Sequence, residues 1–204
     1  MEKKQSRARL KYGQDPGSLI YVGDVRTREV TLNLVIFSKD DYSESDSFSE
    51  DVIKNAVNEG KTIWLNINGI HDTDIISKTG KVFNIHPLTL EDILNTHHRP
   101  KTEDVNDYLF VVLKHLSKKE NSGTLSTEQI SLIIHKNFVI TFQEDETDDL
   151  NLIRESLRQN KGKIRELAPD YLAYRIIDII VDSYFDIVED TGEKIERLGD
   201  ELVQ

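Results

Sequence analysis

Along residues 29–37 apolar Val30, Leu32, Leu34 and Ile36 alternate mainly with polar residues. A period of two predicts a half-buried strand. Residues 62–67 read as a buried strand. Strands over 101–105 and 108–116 meet at the turn pair Asn106-Asp107. A long strand over 124–135 follows Asn121-Ser122-Gly123, and Lys136-Asn137 turns tightly into a strand over 138–142. A short strand over 18–22 follows the Pro16-Gly17 turn, and the Ser/Asp-rich stretch 40–49 reads as loop. Helical spacing takes over in 51–58, where Val52, Ile53, Ala56 and Val57 form an inner face, Ser49 is placed to cap and Gly60 to stop. Residues 73–83 are mostly helical. So are 148–159, with acids at the start and bases near the end to complement the helix dipole, until Gly162 breaks the pattern. Helices early, between strands and late predict an α/β fold: a mixed, largely antiparallel sheet covered by helices in an αβα sandwich.

From Pro169 onward the pattern is one long helix, with proline at its start and none inside it. Val181, Val188, Ile195 and Leu202 keep sevenfold spacing, with Tyr184, Thr191 and Leu198 between them. That makes about three heptads of imperfect seam, weakest at Thr191-Gly192. Asp178 interrupts Ile176-Ile177-Asp178-Ile179-Ile180, a setting where an ionised group needs a partner. Arg175 or a lysine would serve, and so would a cation. Asp182, four residues on, shares its face.

Composition narrows the class. The chain has 204 residues, 37% hydrophobic and 31% charged. That fits one large domain, or one domain with an appendage. Residues 1–16 are expected to be a mobile segment, 17–168 the α/β domain and 169–204 the beginning of the long helix. No run reaches the about 18 apolar residues of a membrane span, since 176–181 is interrupted by Asp178 and closed by Asp182. Met1 to Arg9 lacks the apolar core of a signal peptide. With no cysteine, disulfides and thiolate metal sites are excluded. A net charge of −11 argues against nucleic acid, whose phosphates would be repelled, and suits hard divalent cations.

Enzymatic readings find no support. No nucleophile–base signature is present, and no Gly-x-Gly-x-x-Gly or Walker-type loop. His71, His86, His97 and His98, with Asp72 and Asp74, offer zinc-ligand types, but their spacing matches no helical ligand pair. His86 is better read as orienting the start of the next helix, and His97-His98 as part of a solvated turn. Arg99 and Lys101 are candidate ion-pair partners for nearby carboxylates.

The most informative stretch is 85–101, Ile-His-Pro-Leu-Thr-Leu-Glu-Asp-Ile-Leu-Asn-Thr-His-His-Arg-Pro-Lys. Pro87 suits a first helical position, and Leu90, Ile93 and Leu94 line one face. Asn95 can end the helix, and Pro100 disfavours helix at Arg99. The adjacent carboxylates Glu91 and Asp92 cannot both face inward on so short a helix. This segment closely resembles the cytoplasmic domain of the CorA family of magnesium channels. Three further stretches resemble that family in order and spacing: 62–71, 128–134 and 170–185. The family's Gly-Met-Asn pore signature is absent, since Met1 is the only methionine.

The resemblance carries expectations beyond the residues themselves. It implies a fragment cut before the pore, on the cytoplasmic side of the cell membrane, attached to the membrane only through segments this chain lacks. It implies a homopentamer in the full-length channel. It places an intersubunit regulatory Mg²⁺ position, with Co²⁺ as substitute, on Asp92 with Glu91 beside it, and a second acidic position on Asp178. A carboxylate completing the first site is expected beyond Gln204. Magnesium prefers octahedral oxygen coordination and is usually held by one or two carboxylates and several waters, so half-sites on each subunit suffice. A zinc-transporting relative of the same cytoplasmic architecture, and a stand-alone acidic interaction domain, are the alternatives.

Overall fold

The computed structural model describes residues 13–27, 29–118, 124–145, 149–167 and 169–203. Among these residues seven strands form one sheet: β1 (Thr31–Phe37), β2 (Tyr42–Ser45), β3 (Thr62–Asn68), β4 (Lys101–Val105), β5 (Tyr108–Lys118), β6 (Leu125–His135) and β7 (Phe138–Gln143). Their order is β2-β1-β3-β7-β6-β5-β4. Only β3 and β7 pair in parallel, and every other neighbouring pair is antiparallel. Among the described residues five helices accompany it: α1 (Glu50–Asn58), α2 (Thr73–Phe83), α3 (Pro87–Ile93), α4 (Asp149–Arg158) and α5 (Pro169–Val203).

Strand alternation sorts the helices into two layers. Ile63, Leu65 and Ile67 of β3 point to the side covered by Ile53 of α1, Ile76 of α2 and Leu90 of α3. Trp64 points the other way and joins Leu150 and Ile153 of α4 with Leu172 and Ile176 of α5. The mixed αβα sandwich read from the sequence is the architecture observed.

Local chemistry explains the helix limits. Ser49 accepts a hydrogen bond from Val52 N at 3.3 Å. Asp72 accepts from Asp74 N at 2.9 Å and Ile75 N at 3.2 Å. His86 Nδ1 accepts from Leu88 N at 3.2 Å and so caps α3, with Pro87 as its first residue. Each satisfies amides that the first helical turn leaves without partners. Asn84 closes α2 in the left-handed conformation, φ 53°. Leu94, not Asn95, caps the end of α3.

Several expectations need correction. Residues 18–22 form no strand: Val22 makes a single parallel bridge to Asn95, with Val22 N donating to Leu94 O at 2.8 Å and Thr96 N to Val22 O at 3.2 Å. Residues 42–45, expected as loop, are the edge strand β2. An edge strand requires ladder bonds on one side only, so it can form without an apolar stripe. Here its Glu44 accepts from Asn33 Nδ2 at 2.7 Å and pairs with Arg158 Nη2 at 2.7 Å. Those bonds hold the Glu44 carboxyl well down, to about 2, with the Arg158 bond the largest cause. Val52 lies at the rim of α1 rather than on its inner face, which Ile53 and Ala56 occupy. The expected turn at 121–123 and most of the expected mobile segment, residues 1–12, lie outside the described residues, as does the expected start of α4 at 148.

The long C-terminal helix changes character along its length. Leu172, Ala173, Ile176 and Ile180 are buried against the sheet, and Ile187 is the last buried residue among those described. Beyond it the seam residues Val188, Ile195, Leu198 and Leu202 are all exposed, Leu202 at 88%. No helix among the described residues is long and apolar enough to cross a membrane.

Candidate metal centre

Burial of Leu90 and Ile93 sets the orientation of α3 and leaves Glu91 and Asp92 at its half-exposed margin. The two carboxylates take different partners. Glu91 Oε2 accepts the backbone N–H of Gly17 at 2.8 Å, tying the N-terminal segment to α3. Asp92 is 27% exposed, with Oδ2 accepting from Lys101 Nζ at 2.6 Å and Oδ1 lying 3.1 Å from His98 Nε2. His98 thus packs on a carboxylate instead of standing in a solvated turn, whereas its neighbour His97 is exposed.

Lys101 opens the edge strand β4 and also donates to Glu103 Oε1 at 2.8 Å. Its ammonium sits 5.4 Å from the centroid of the Phe110 ring. Burial pushes the Lys101 amine down, but the bonds to Asp92 and Glu103 outweigh this and hold it above its ordinary value. Lys101 therefore stays an ammonium at neutral pH.

Asp178 belongs to the opposite layer, on α5. Successive helical residues turn by about 100°, so Ile176 and Ile180 can be fully buried while Asp178 stays at the solvent margin, 39% exposed. Arg175 Nε is 3.9 Å from Asp178 Oδ2, too far for a hydrogen bond. Asp182, one turn on, is exposed. This answers the anomaly of an acid in an isoleucine run: the run is continuous in sequence but not on one helix face.

Within one chain Asp92 and Asp178 lie on helices that cover opposite faces of the sheet. Among the described residues no group of three or more His, Cys, Asp or Glu side chains could hold a metal ion. The four histidines do not converge: His71 meets the edge of Tyr21, His86 caps α3, and His98 faces Asp92. The donor set nonetheless fits magnesium, which takes hard oxygens and few protein ligands. Asp178 offers oxygens reachable from solvent. At Asp92 the Lys101 ammonium stands against Oδ2.

A second charged cluster went unnoticed in the sequence. His115 of β5 and Glu128 of β6 are cross-strand register partners, both almost fully buried. His115 Nδ1 lies 2.9 Å from Glu128 Oε1. Nε2 lies 2.7 Å from Oδ2 of Asp149 at the start of α4, close enough for an ion pair though not aligned as a hydrogen bond. Burial pushes the His115 pKa down, but the Glu128 hydrogen bond and the charges of Glu128 and Asp149 outweigh it, so the net direction is up from 6.5. The folded protein therefore holds this proton more tightly than the unfolded chain. The resulting stability is complete below pH 6.5 and is lost as pH rises through the higher folded pKa. The stability advantage of wild type over His115→Gln, measured by urea unfolding, is expected to be larger near pH 6 than near pH 9. An advantage independent of pH would mean that folding leaves the His115 pKa unshifted, and one larger near pH 9 that His115 is held neutral in the fold.

Comparison with known proteins places these features in a family. The family described as CorA-like Mg2+ transporter protein matches residues 59–204. The chain is 39% identical over 201 residues to the cobalt/magnesium transport protein CorA of Thermotoga maritima, covering 98% of this chain and 57% of that protein. It therefore spans little more than half the length of that relative. The complete structure of the CorA magnesium transporter from Methanocaldococcus jannaschii aligns with TM-score 0.61 at 19% identity, over 87% of this chain and 52% of that one. The ZntB cytoplasmic domain from Vibrio parahaemolyticus aligns with TM-score 0.56 at 17% identity, over 80% of this chain and 64% of that one. At these identities the two structures share the fold alone.

Proposed function

The chain belongs to the CorA-like Mg²⁺ transporter family, a family of transporters and not of enzymes, and on that premise we propose that it is the cytoplasmic, divalent-cation-sensing domain of a homopentameric magnesium channel. The observation that carries this reading is the placement of the acids. Asp92 and Asp178 lie on opposite layers, each at a solvent-reachable margin. Asp178 also sits on the same helix as the exposed seam of Val188, Ile195 and Leu202. A carboxylate on the α/β domain and one on the long helix are thereby open to approach by neighbouring chains, where like charges would repel.

Bound Mg²⁺ would supply the positive charge and oxygen coordination that cancel this repulsion, with Co²⁺ as a substitute. The carboxylates would then hold the subunits together and favour a closed pore. When they lose the cation they push apart and free the long helices to move. Such a shift requires the carboxylates to bind the ion more tightly in one arrangement than in the other. A weak site serves best, because a sensor must empty when the free ion falls. The seam on α5 fits a helix that continues toward the membrane and packs against its own copies.

The test is Asp92→Asn in the full-length protein. Losing the Lys101 ion pair costs about 0.5–1 kcal/mol, so the fold survives. Half-inhibition of transport is expected to require at least about tenfold more internal Mg²⁺. Unaltered inhibition would give α3 a purely structural role. The likeness to the ZntB cytoplasmic domain supports a second reading, a zinc-transporting relative of the same fold. Zn²⁺ uptake that is insensitive to Mg²⁺ would favour it. An acidic interaction module would show no cation flux at all.

A further inference from the structure

We infer that Lys101 is a tethered counter-cation that sets the divalent-ion affinity of Asp92, by releasing that carboxylate while keeping Glu103. The inference rests on the metal reading of Asp92 and adds to it the residue that tunes the site. A single ammonium stands 2.6 Å from Asp92 Oδ2 and 2.8 Å from Glu103 Oε1. It has three donors and no acceptor, so it can serve both acids at once. Lys101 and Glu103 are two apart on β4 and share a face. Their register partners on β5 are Val112 and Phe110, which belong to the core beneath α3. The strand therefore holds the ammonium at the carboxylate side of that helix.

A divalent cation arriving at Asp92 meets a positive charge already in place. Ligation exchanges the Lys101–Asp92 pair for a metal–carboxylate bond, and the displaced ammonium keeps a partner in Glu103. Two opposite consequences follow. Removing the ammonium strengthens cation binding, because Asp92 no longer has to be vacated. Removing the Glu103 charge weakens it, because the ammonium then has only Asp92 to neutralise it. A lysine that merely props up β4 or positions the carboxylate would not produce this opposition.

The experiment titrates MgCl₂ against the melting temperature of the full-length protein in detergent at fixed ionic strength. Wild type is compared with Asp92→Asn, Lys101→Gln, Lys101→Met, Lys101→Arg and Glu103→Gln. The Gln and Met variants at Lys101 are expected to reach half-effect at about two- to fivefold lower Mg²⁺, the range a partly exposed ion pair supports. Lys101→Arg, which keeps the charge, should stay near wild type, and Glu103→Gln should need more Mg²⁺. Glu103 is nearly half exposed, so its variant folds even if those at Lys101 do not. Half-effect concentrations that are unchanged or raised in Lys101→Gln and Lys101→Met, or lowered in Glu103→Gln, overturn the inference while leaving Asp92 as ligand. No Mg²⁺ effect in wild type, or an undiminished one in Asp92→Asn, overturns the metal reading and the inference together.

Discussion

Replacing Trp64 by alanine is expected to lower the stability of the protein by about 3–5 kcal/mol, the range for truncating a large aromatic in a well-packed core. Trp64 is the bulkiest fully buried side chain and lies on a central strand, on the face covered by α4 and α5. Its indole does more than fill space. Nε1 donates to Thr141 Oγ1 at 3.1 Å, and the Arg154 guanidinium lies 5.5 Å from the ring centroid. Thr141 in turn donates to Asn66 Oδ1 at 2.5 Å, and Gln143 Nε2 donates to Asn66 Oδ1 at 3.0 Å and Asn68 Oδ1 at 2.6 Å. Alanine would therefore leave a cavity beneath the helix layer and remove the donor at one end of a buried amide ladder. Since domains are stable by only about 5–15 kcal/mol, this is a large fraction of the total. Far-UV circular dichroism in urea is the right measurement, because the variant loses the chain's one tryptophan. Trp64→Phe, which keeps most of the volume, should cost about 1–3 kcal/mol. A loss below about 1 kcal/mol for alanine would mean that α4 and α5 collapse onto the sheet without penalty.

Gly80→Val should cost about 1–3 kcal/mol and displace the carboxylates of α3 at the same time. A Cβ built on Gly80 would lie 2.3 Å from Leu90 Cδ1, with Leu90 Cγ at 3.3 Å and Cδ2 at 3.4 Å. Leu90 is itself buried among Ile76, Phe83 and Ile93, so it cannot swing aside freely. Glycine is normally a poor choice inside a helix. Here it allows α2 and α3 to approach. Leu90 lies two residues before Asp92, so moving it moves the acid relative to Lys101. The variant is expected to melt earlier and to lose part of its Mg²⁺ response. Leu90→Ala added to Gly80→Val should recover some of the stability, because the two substitutions share one space. Strict additivity of the two losses would place the clash elsewhere.

Features governed by neighbours a few residues away were legible in the sequence. The 73–83 helix emerged with its observed limits, set by the Asp72 cap and Asn84. His86-Pro87 marked the start of α3, alternation marked β1, and β3 read as a buried strand. The order of the strands and helices sufficed for the sandwich, and four motifs in sequence for the family. The acids Glu91, Asp92 and Asp178 were likewise visible as residues. Their partners were not. Gly17 reaches Glu91 across 74 positions, Lys101 reaches Asp92 only because β4 pairs with β5 beside α3, and His115 meets Glu128 through strand register. The edge strand β2 escaped notice because its polar side chains are answered by Asn33 and Arg158, 11 and 114 residues away from Glu44. Caps and periodicity are energies of adjacent residues and survive in the unfolded string. Ion pairs and layer assignment arise only when the sheet closes, so the tertiary structure alone decided which acids are clamped and which face solvent.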